Sequence, residues 1–465
     1  VPHATLLPSP RVLLVLPLLL LGACASSPTP PGADTAGSAP APRLAAPDRP
    51  SGSDALPRWR EHFDALGKAL GKIDEPLITH ESADSPPPPV TAEQLAPAVA
   101  LLDRLSLATG ETLILPTIHG PETPFPDHHP LRQIASVRTI RARLALAEGD
   151  LPAALALVRA NLAQARATLR SQAGIVPLIH ATGVWQAALD GVHALARHPD
   201  LPVAEARELL AELQSDATLA QVALDRALRG EYAHVYRVIV ERMPATDDPD
   251  LALSSVGSLG MAEPEPLQPG ELGLGLTAHP LLDRAATLAA YEADLAPYLA
   301  ALMKEARLPR GLFARHTATT LGGYLRALGE FQEYASGEGE TTPELILRAR
   351  AAMEATENPI GKLLAVYLTP PWEAILGTAL RREAQRSALC GLLAWRIHGR
   401  PAPWTEIIAA GHLATPPADP FSDGALLLAL GENARVWSVY LNGADDGGEP
   451  VEGNLGQPPD LVWIW

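Results

Sequence analysis

From about Ala55 onward the apolar side chains recur at spacings of three and four residues, and that periodicity commits the chain to a mainly α-helical body. Runs of β-branched residues are few and short, so little of this region can be sheet. The segment 57–73 places Trp59, Phe63, Leu66, Leu70 and Ile73 on one face, and 92–107 repeats the pattern. The clearest unit is 131–169. Ile134, Val137, Leu144 and Leu146 mark a first helix, Gly149 closes it, and Asp150 with Pro152 opens a second bearing Leu155, Val158, Leu162, Ala165 and Leu169. This spacing predicts an antiparallel helical hairpin. Further helices are expected over 175–198, 202–212, 217–240, 281–306, 312–334, 343–355 and 371–398, separated by Pro and Gly clusters. The stretch 111–130 carries five prolines and three histidines and cannot be one continuous helix. The acidic, Gly- and Pro-rich stretch 244–278 reads as a long surface loop.

The apolar fraction of 47% is enough to fill substantial cores over this length. The formal charge is -17, which disfavours contact with nucleic acid or anionic lipid surfaces. No nucleic-acid partner is expected. Of the two cysteines, Cys390 lies in the helical pattern Leu380, Ala384, Ala388, Leu392, Trp395 and is expected to be a buried small apolar residue rather than a reactive thiol.

Near the start, Arg11 precedes an apolar run from Val12 to Leu21, and Leu21, Gly22 and Ala23 lead into Cys24. This order resembles a bacterial lipoprotein signal, with residues 1–23 as the signal peptide and Cys24 as the lipidated residue. The run is interrupted by Pro17 and falls short of the ~20 residues needed to span a bilayer. Loss of Arg11 with the leader would take the charge to -18. The membrane would then be held through acyl chains, each buried CH₂ contributing ~0.8 kcal/mol. Residues 24–54 are rich in Pro, Ala, Ser and Gly and read as a disordered tether. Ala25 stands where inner-membrane lipoproteins of Gram-negative bacteria commonly carry Asp, so the resemblance implies an outer-membrane anchor facing the periplasm.

Within 131–169 the Ala-Glu-Gly-Asp turn and the Ala-rich second helix resemble a tetratricopeptide-type (TPR-like) helix pair. The end of the chain changes character. Residues 426–430 and 435–441 are strand-like and are separated by Gly431 to Ala434, which suits a hairpin. With Asn358 to Gly361 (Asn-Pro-Ile-Gly), Asp419 to Phe421 (Asp-Pro-Phe) and Asp445 to Gly448 (Asp-Asp-Gly-Gly), the chain resembles an uncharacterised bacterial envelope lipoprotein family. Its part 371–465 is also similar to the calcium-binding globular region of the type II secretion major pseudopilin. It differs in lacking that region's tyrosine at Arg400 to Pro401 and in having Phe421 in place of tryptophan. The resemblance implies a long helix followed by a small sheet.

Asn442, Asp445, Asp446 and Asp460 are the candidate ligands for a structural calcium ion, since Ca²⁺ takes six to eight oxygens and a glycine-rich turn lets carbonyls contribute. An EF-hand is excluded, because Ala444 and Gly453 fall where that loop needs oxygen side chains. His119, Asp127, His128 and His129 are the one dense set of zinc-type ligands, but adjacent histidines in a strand-like stretch point to opposite sides and favour surface or packing roles. For nucleophilic catalysis the chain is poor: Gly257 to Gly260 misses the Gly-x-Ser-x-Gly spacing, and Glu338 with Glu340 sits in a Gly-rich turn. Arg138, Arg141 and Arg143 read as solvated helix surface.

The expected architecture is mainly α: an irregular stack of helical hairpins, partly TPR-like, over 55–370, and a small α+β module over 371–465. The expected function is a lipid-anchored envelope protein that binds or scaffolds a protein or peptide partner without catalysis. The alternatives are a periplasmic metal-dependent hydrolase built on the His119 to His129 region, or an accessory subunit of a secretion or pilus-like assembly.

Overall fold

A computed structural model describes residues 45–71, 90–115, 128–243, 281–304, 357–361, 364, 372–422, 424–439, 445, 447–448 and 461–465. Among them the fold is mainly helical, with a small antiparallel three-stranded sheet near the C-terminus.

The expected hairpin is present as α3 (His128–Ala147) and α4 (Leu151–Ser171). Gly149 turns the chain at φ +79°, a left-handed conformation that suits glycine. The Asp150 side chain then accepts a hydrogen bond from the Ala153 amide at 3.1 Å, capping α4. The next helix, α5 (Ile175–Arg197), is apolar on almost every side. It can be so because it is enclosed by α3, α4 and the long α10 (Trp372–His398). Gly191 lets α5 approach α4 closely, since a Cβ there would sit 2.9 Å from Val158 Cγ2. Helix α6 (Val203–Ser215) packs on α10, and α7 (Leu219–Glu231) packs on α4, α5 and α9 (Arg284–Lys304).

A second apolar cluster lies on the other face of α3. There α1 (Leu56–Leu70) and α2 (Ala92–Leu102), with Leu105, Leu113 and Leu115, meet Leu131, Ile134 and Val137. Helix α2 starts in a capping box, Thr91 accepting from the Gln94 amide and Gln94 accepting from the Thr91 amide. Before α1, β1 (Ser53–Asp54) pairs in parallel with β2 (Glu111–Thr112). Asp54 Oδ1 accepts from both the Leu56 and Ile114 amides at 3.0 Å. The end of the stretch read as a tether therefore belongs to the folded body, and the Asp48 carbonyl is itself bound by Arg226. Composition misses this because so short a strand carries no alternation of its own.

The long helix expected over 217–240 is interrupted. Between α7 and α8 (Arg237–Arg242) the residues Tyr232–Tyr236 form a π turn. The wider turn leaves both Tyr232 and Tyr236 buried, where Tyr236 stacks on Tyr291 of α9 with ring centroids 4.5 Å apart.

At the C-terminus β3 (Leu427–Ala429), β4 (Arg435–Ser438) and β5 (Leu461–Ile464) form an antiparallel sheet in the order β3-β4-β5. The hairpin expected from Gly431 to Ala434 pairs Leu427 with Trp437 and Ala429 with Arg435. Trp395 of α10, fully buried, stacks on Trp404 of α11 (Trp404–Ala409) at 5.5 Å and meets Trp465 edge-on at 6.0 Å. The indole of Trp404 passes so close to α10 that only glycine fits at 391. Across the sheet, Val436 and Trp463 join the same apolar core as α4, α5 and α10. α10 is itself a central packing helix of that core.

Candidate functional site

Most of the residues singled out for calcium or lipid lie outside the described residues: Cys24, Asn442, Asp446 and Asp460. Asp445 is described. Its Oδ1 accepts from the Trp437 indole N–H at 3.0 Å and from the Gly447 amide at 2.9 Å. Gly447 and Gly448 both have positive φ, and Gly448 packs against the Trp437 ring where a Cβ would come within 2.6 Å. The glycines are thus set by a tight turn under Trp437.

His119 and Asp127 also lie outside the described residues. His128 and His129 correct the sequence reading, because they open α3 rather than lie in an extended stretch, and His129 is exposed. Among the described residues no three His, Cys, Asp or Glu side chains are grouped to hold a metal ion. Cys390 is buried, and burial pushes its thiol up to about 11, against the neighbouring Arg386 guanidinium.

Asn358 to Gly361 forms a latch on the start of α9. Asn358 has φ 52°, a left-handed conformation that asparagine tolerates. From there its Oδ1 accepts from the Asp283 amide at 2.8 Å and its Nδ2 donates to Thr287 Oγ1 at 2.9 Å. Asp283 in turn caps α9 through the Ala286 amide. Ile360 is fully buried, and any Cβ at Gly361 would fall 2.1 Å from Thr287 Oγ1. Asn358, Ile360 and Gly361 thus serve as a packing device.

Two buried polar clusters were not foreseen. The first joins α4, α6 and α10. Arg166 grips Asp216 through Nε at 3.0 and 2.9 Å and reaches Glu212 through Nη1 at 3.0 Å. Burial works against the Arg166 charge, but Asp216 and Glu212 overcome it and raise its proton affinity. One turn outward, Arg159 holds Glu205 at 2.8 Å and Glu208 at 2.5 Å. Arg386 of α10 binds Glu383 at 2.5 Å and donates to the Leu213 carbonyl at 2.9 Å. The spacing of Glu205, Glu208, Glu212 and Asp216 along one helical face was a legible signal; their partners, far away in sequence, were not.

The second cluster surrounds the π turn. Glu231 accepts from the Ile175 amide at 2.9 Å and so caps α5 from across the fold. Gly230 makes that approach feasible, since a Cβ there would lie 2.7 Å from the Ala173 backbone. Tyr232 donates to Glu292, and Tyr291 donates to the Leu364 carbonyl at 2.6 Å. Burial pushes Glu231 up to about 7, only partly offset by the Ile175 hydrogen bond.

A carboxyl whose folded pKa is raised contributes stability that is complete below its ordinary value of 4.5 and is lost as the pH climbs through about 7. Glu231→Gln keeps an acceptor for Ile175 and removes the titration. The difference in unfolding free energy between variant and wild type is therefore expected to grow in the variant's favour from pH 5 to pH 8. It should reach on the order of 2 kcal/mol across that window. Parallel stability curves across that range would contradict the assignment.

Arg138 is the plainest correction. Its sequence context suits solvated surface, yet it is 1% exposed, lying between the two apolar clusters. Its Nη1 donates to Gln164 Oε1 and its Nη2 to the Leu105 carbonyl, each at 2.6 Å. Two apolar clusters share α3, so a polar stripe along that helix can point inward. No protein-family model, curated protein or solved structure matches the chain.

Proposed function

We propose that the protein is a lipid-anchored component of a bacterial cell envelope, attached through Cys24, whose helical body binds or scaffolds a protein or peptide partner without catalysing a reaction. The observation that carries the reading is the point at which the chain joins the body. The Asp48 carbonyl is held at 2.7 Å by Arg226 of α7, and Ser53–Asp54 is stitched to β2. Between Cys24 and that point runs a stretch whose composition suits a tether. Fully extended at ~3.3–3.6 Å per residue it would let the body stand roughly 80 Å from the membrane.

The helical body supports a scaffolding role in a second way. Its conspicuous acid, guanidinium and tyrosine groups bond to one another and to backbone, as in Arg166 with Asp216, Tyr232 with Glu292, and Glu231 with Ile175. A partner would accordingly be met by helix faces. The α3–α4 hairpin, read as TPR-like, would supply one such face. The C-terminal sheet after α10 supports the pseudopilin-like reading of that part of the chain, and a calcium ion there would take Asp445 through Oδ2, the oxygen that accepts neither Trp437 nor Gly447.

Phase partitioning of the full-length protein, expressed in a Gram-negative host, tests the anchor. Wild type is expected in the detergent phase with labelled palmitate incorporated, and Cys24→Ala in the aqueous phase without label. Wild-type protein found unlabelled in the aqueous phase would overturn the proposal.

A further inference from the structure

Among the described residues, the seam between α1 and α3 buries an indole donor without an acceptor and a guanidinium without a carboxylate partner. Trp59 of α1 is 0% exposed, and its indole Nε1 has no hydrogen-bond partner. Arg138 of α3 is 1% exposed, and its Cζ stands 5.8 Å from the centroid of the Trp59 ring. The guanidinium carries five N–H donors, of which Gln164 Oε1 and the Leu105 carbonyl each take one. Gln164 is itself committed, its Nε2 donating to the Leu131 carbonyl at 2.7 Å. Trp59 belongs to an apolar cluster with Leu56, Leu66, Leu95, Leu105, Leu131 and Ile134.

Burying a cation without an anion is costly, and an unpaired buried N–H adds to that cost. Arg166 and Arg386 avoid it. Arg166 has Asp216, and Arg386 has Glu383. At Arg138 burial takes the pKa down to about 10, and no carboxylate among the described residues opposes it. The side chain stays charged at neutral pH.

We propose that this seam is a binding site for a compact monovalent anion of chloride size, which accepts from Trp59 Nε1 and from the Arg138 guanidinium and completes the junction between the N-terminal helices and the bundle. An anion is favoured over a water molecule because it neutralises the charge as well as accepting the orphaned proton. The ion would be structural.

The test is thermal unfolding of the full-length protein in sodium gluconate, then with chloride replacing gluconate at constant ionic strength. Binding to the native state alone raises the midpoint by mass action, so a rise of a few degrees is expected at chloride well above its dissociation constant. Trp59→Phe keeps the ring beneath Arg138 and removes only the indole donor. It is expected to lose most of the chloride-dependent rise and, in gluconate, to be at least as stable as wild type. Equal wild-type midpoints in the two salts, or an undiminished chloride rise in Trp59→Phe, would overturn the proposal. Crystals grown in bromide give an independent reading, with an anomalous peak beside Trp59 Nε1 expected and an empty seam contradicting it.

Discussion

Replacing Asp216 with alanine is expected to destabilise the protein by about 3–5 kcal/mol, the usual effect of leaving a buried charge without its partner. The Asp216 side chain is fully buried, and the Arg166 side chain that grips it is only 19% exposed. Removing the carboxylate leaves that guanidinium with Glu212 alone, and deprives Arg386 of a nearby anion. The cost comes mainly from desolvated positive charge, which predicts a second result. A double variant, Asp216→Leu with Arg166→Met, should recover most of the loss, because both charges leave together. Urea unfolding of the three proteins measures both effects. A single-variant loss below 1 kcal/mol would mean that Arg166 is solvated without moving.

Asp419→Ala is expected to cost a similar amount, about 3–5 kcal/mol, by stranding three donors that would each lose on the order of 1–3 kcal/mol if left unpaired. Asp419 is fully buried. Its Oδ1 accepts from the Phe421 amide at 2.9 Å and from Ser438 Oγ at 2.7 Å, and its Oδ2 accepts from the Val439 amide at 3.2 Å. One carboxylate thus forms the Asp-Pro-Phe turn and fastens it to the end of β4. Phe421 enters the core on the same turn. Asp419→Asn keeps acceptor capacity on only one of its two polar atoms and should fall between wild type and alanine. Loss of near-ultraviolet circular dichroism from the Trp395, Trp404 and Trp465 group would accompany the alanine variant if the sheet detaches. An unchanged spectrum together with unchanged stability would show that the turn holds without the carboxylate.

Much of the helical architecture is local in origin, and it was legible for that reason. The α3–α4 hairpin follows from Gly149, Asp150 and Pro152 and from apolar residues at helical spacing, all of which act within a turn of their own position. The hairpin of β3 and β4 follows from Gly431 to Ala434 between two apolar runs. A buried role for Cys390 follows from the helical stripe it interrupts. The proposed function rests on the resemblance of the residues before Cys24 to a lipoprotein signal and on the composition that follows, both of which are local features.

Arg138 and Glu231 show where local reading stops. An arginine on an amphipathic helix is ordinarily solvated, and only the presence of a second apolar cluster on the far face of α3 turns Arg138 inward. Glu231 ends a helix with nothing nearby to mark it, and its partner is an amide 56 positions earlier in the chain. Asp445, one of four residues that suit a calcium ion by sequence, has its Oδ1 committed to Trp437 and Gly447.

Backbone periodicity and turn chemistry are properties of neighbours along the chain, so the sequence by itself determined the helical class and, among the described residues, most element positions. Which polar side chains become buried, and which distant donor or acceptor each one meets, depends on how helices pack across hundreds of residues. That was decided by the tertiary structure alone, because a charge or carbonyl removed from water must be matched in space, and spatial neighbours leave no periodic mark in sequence.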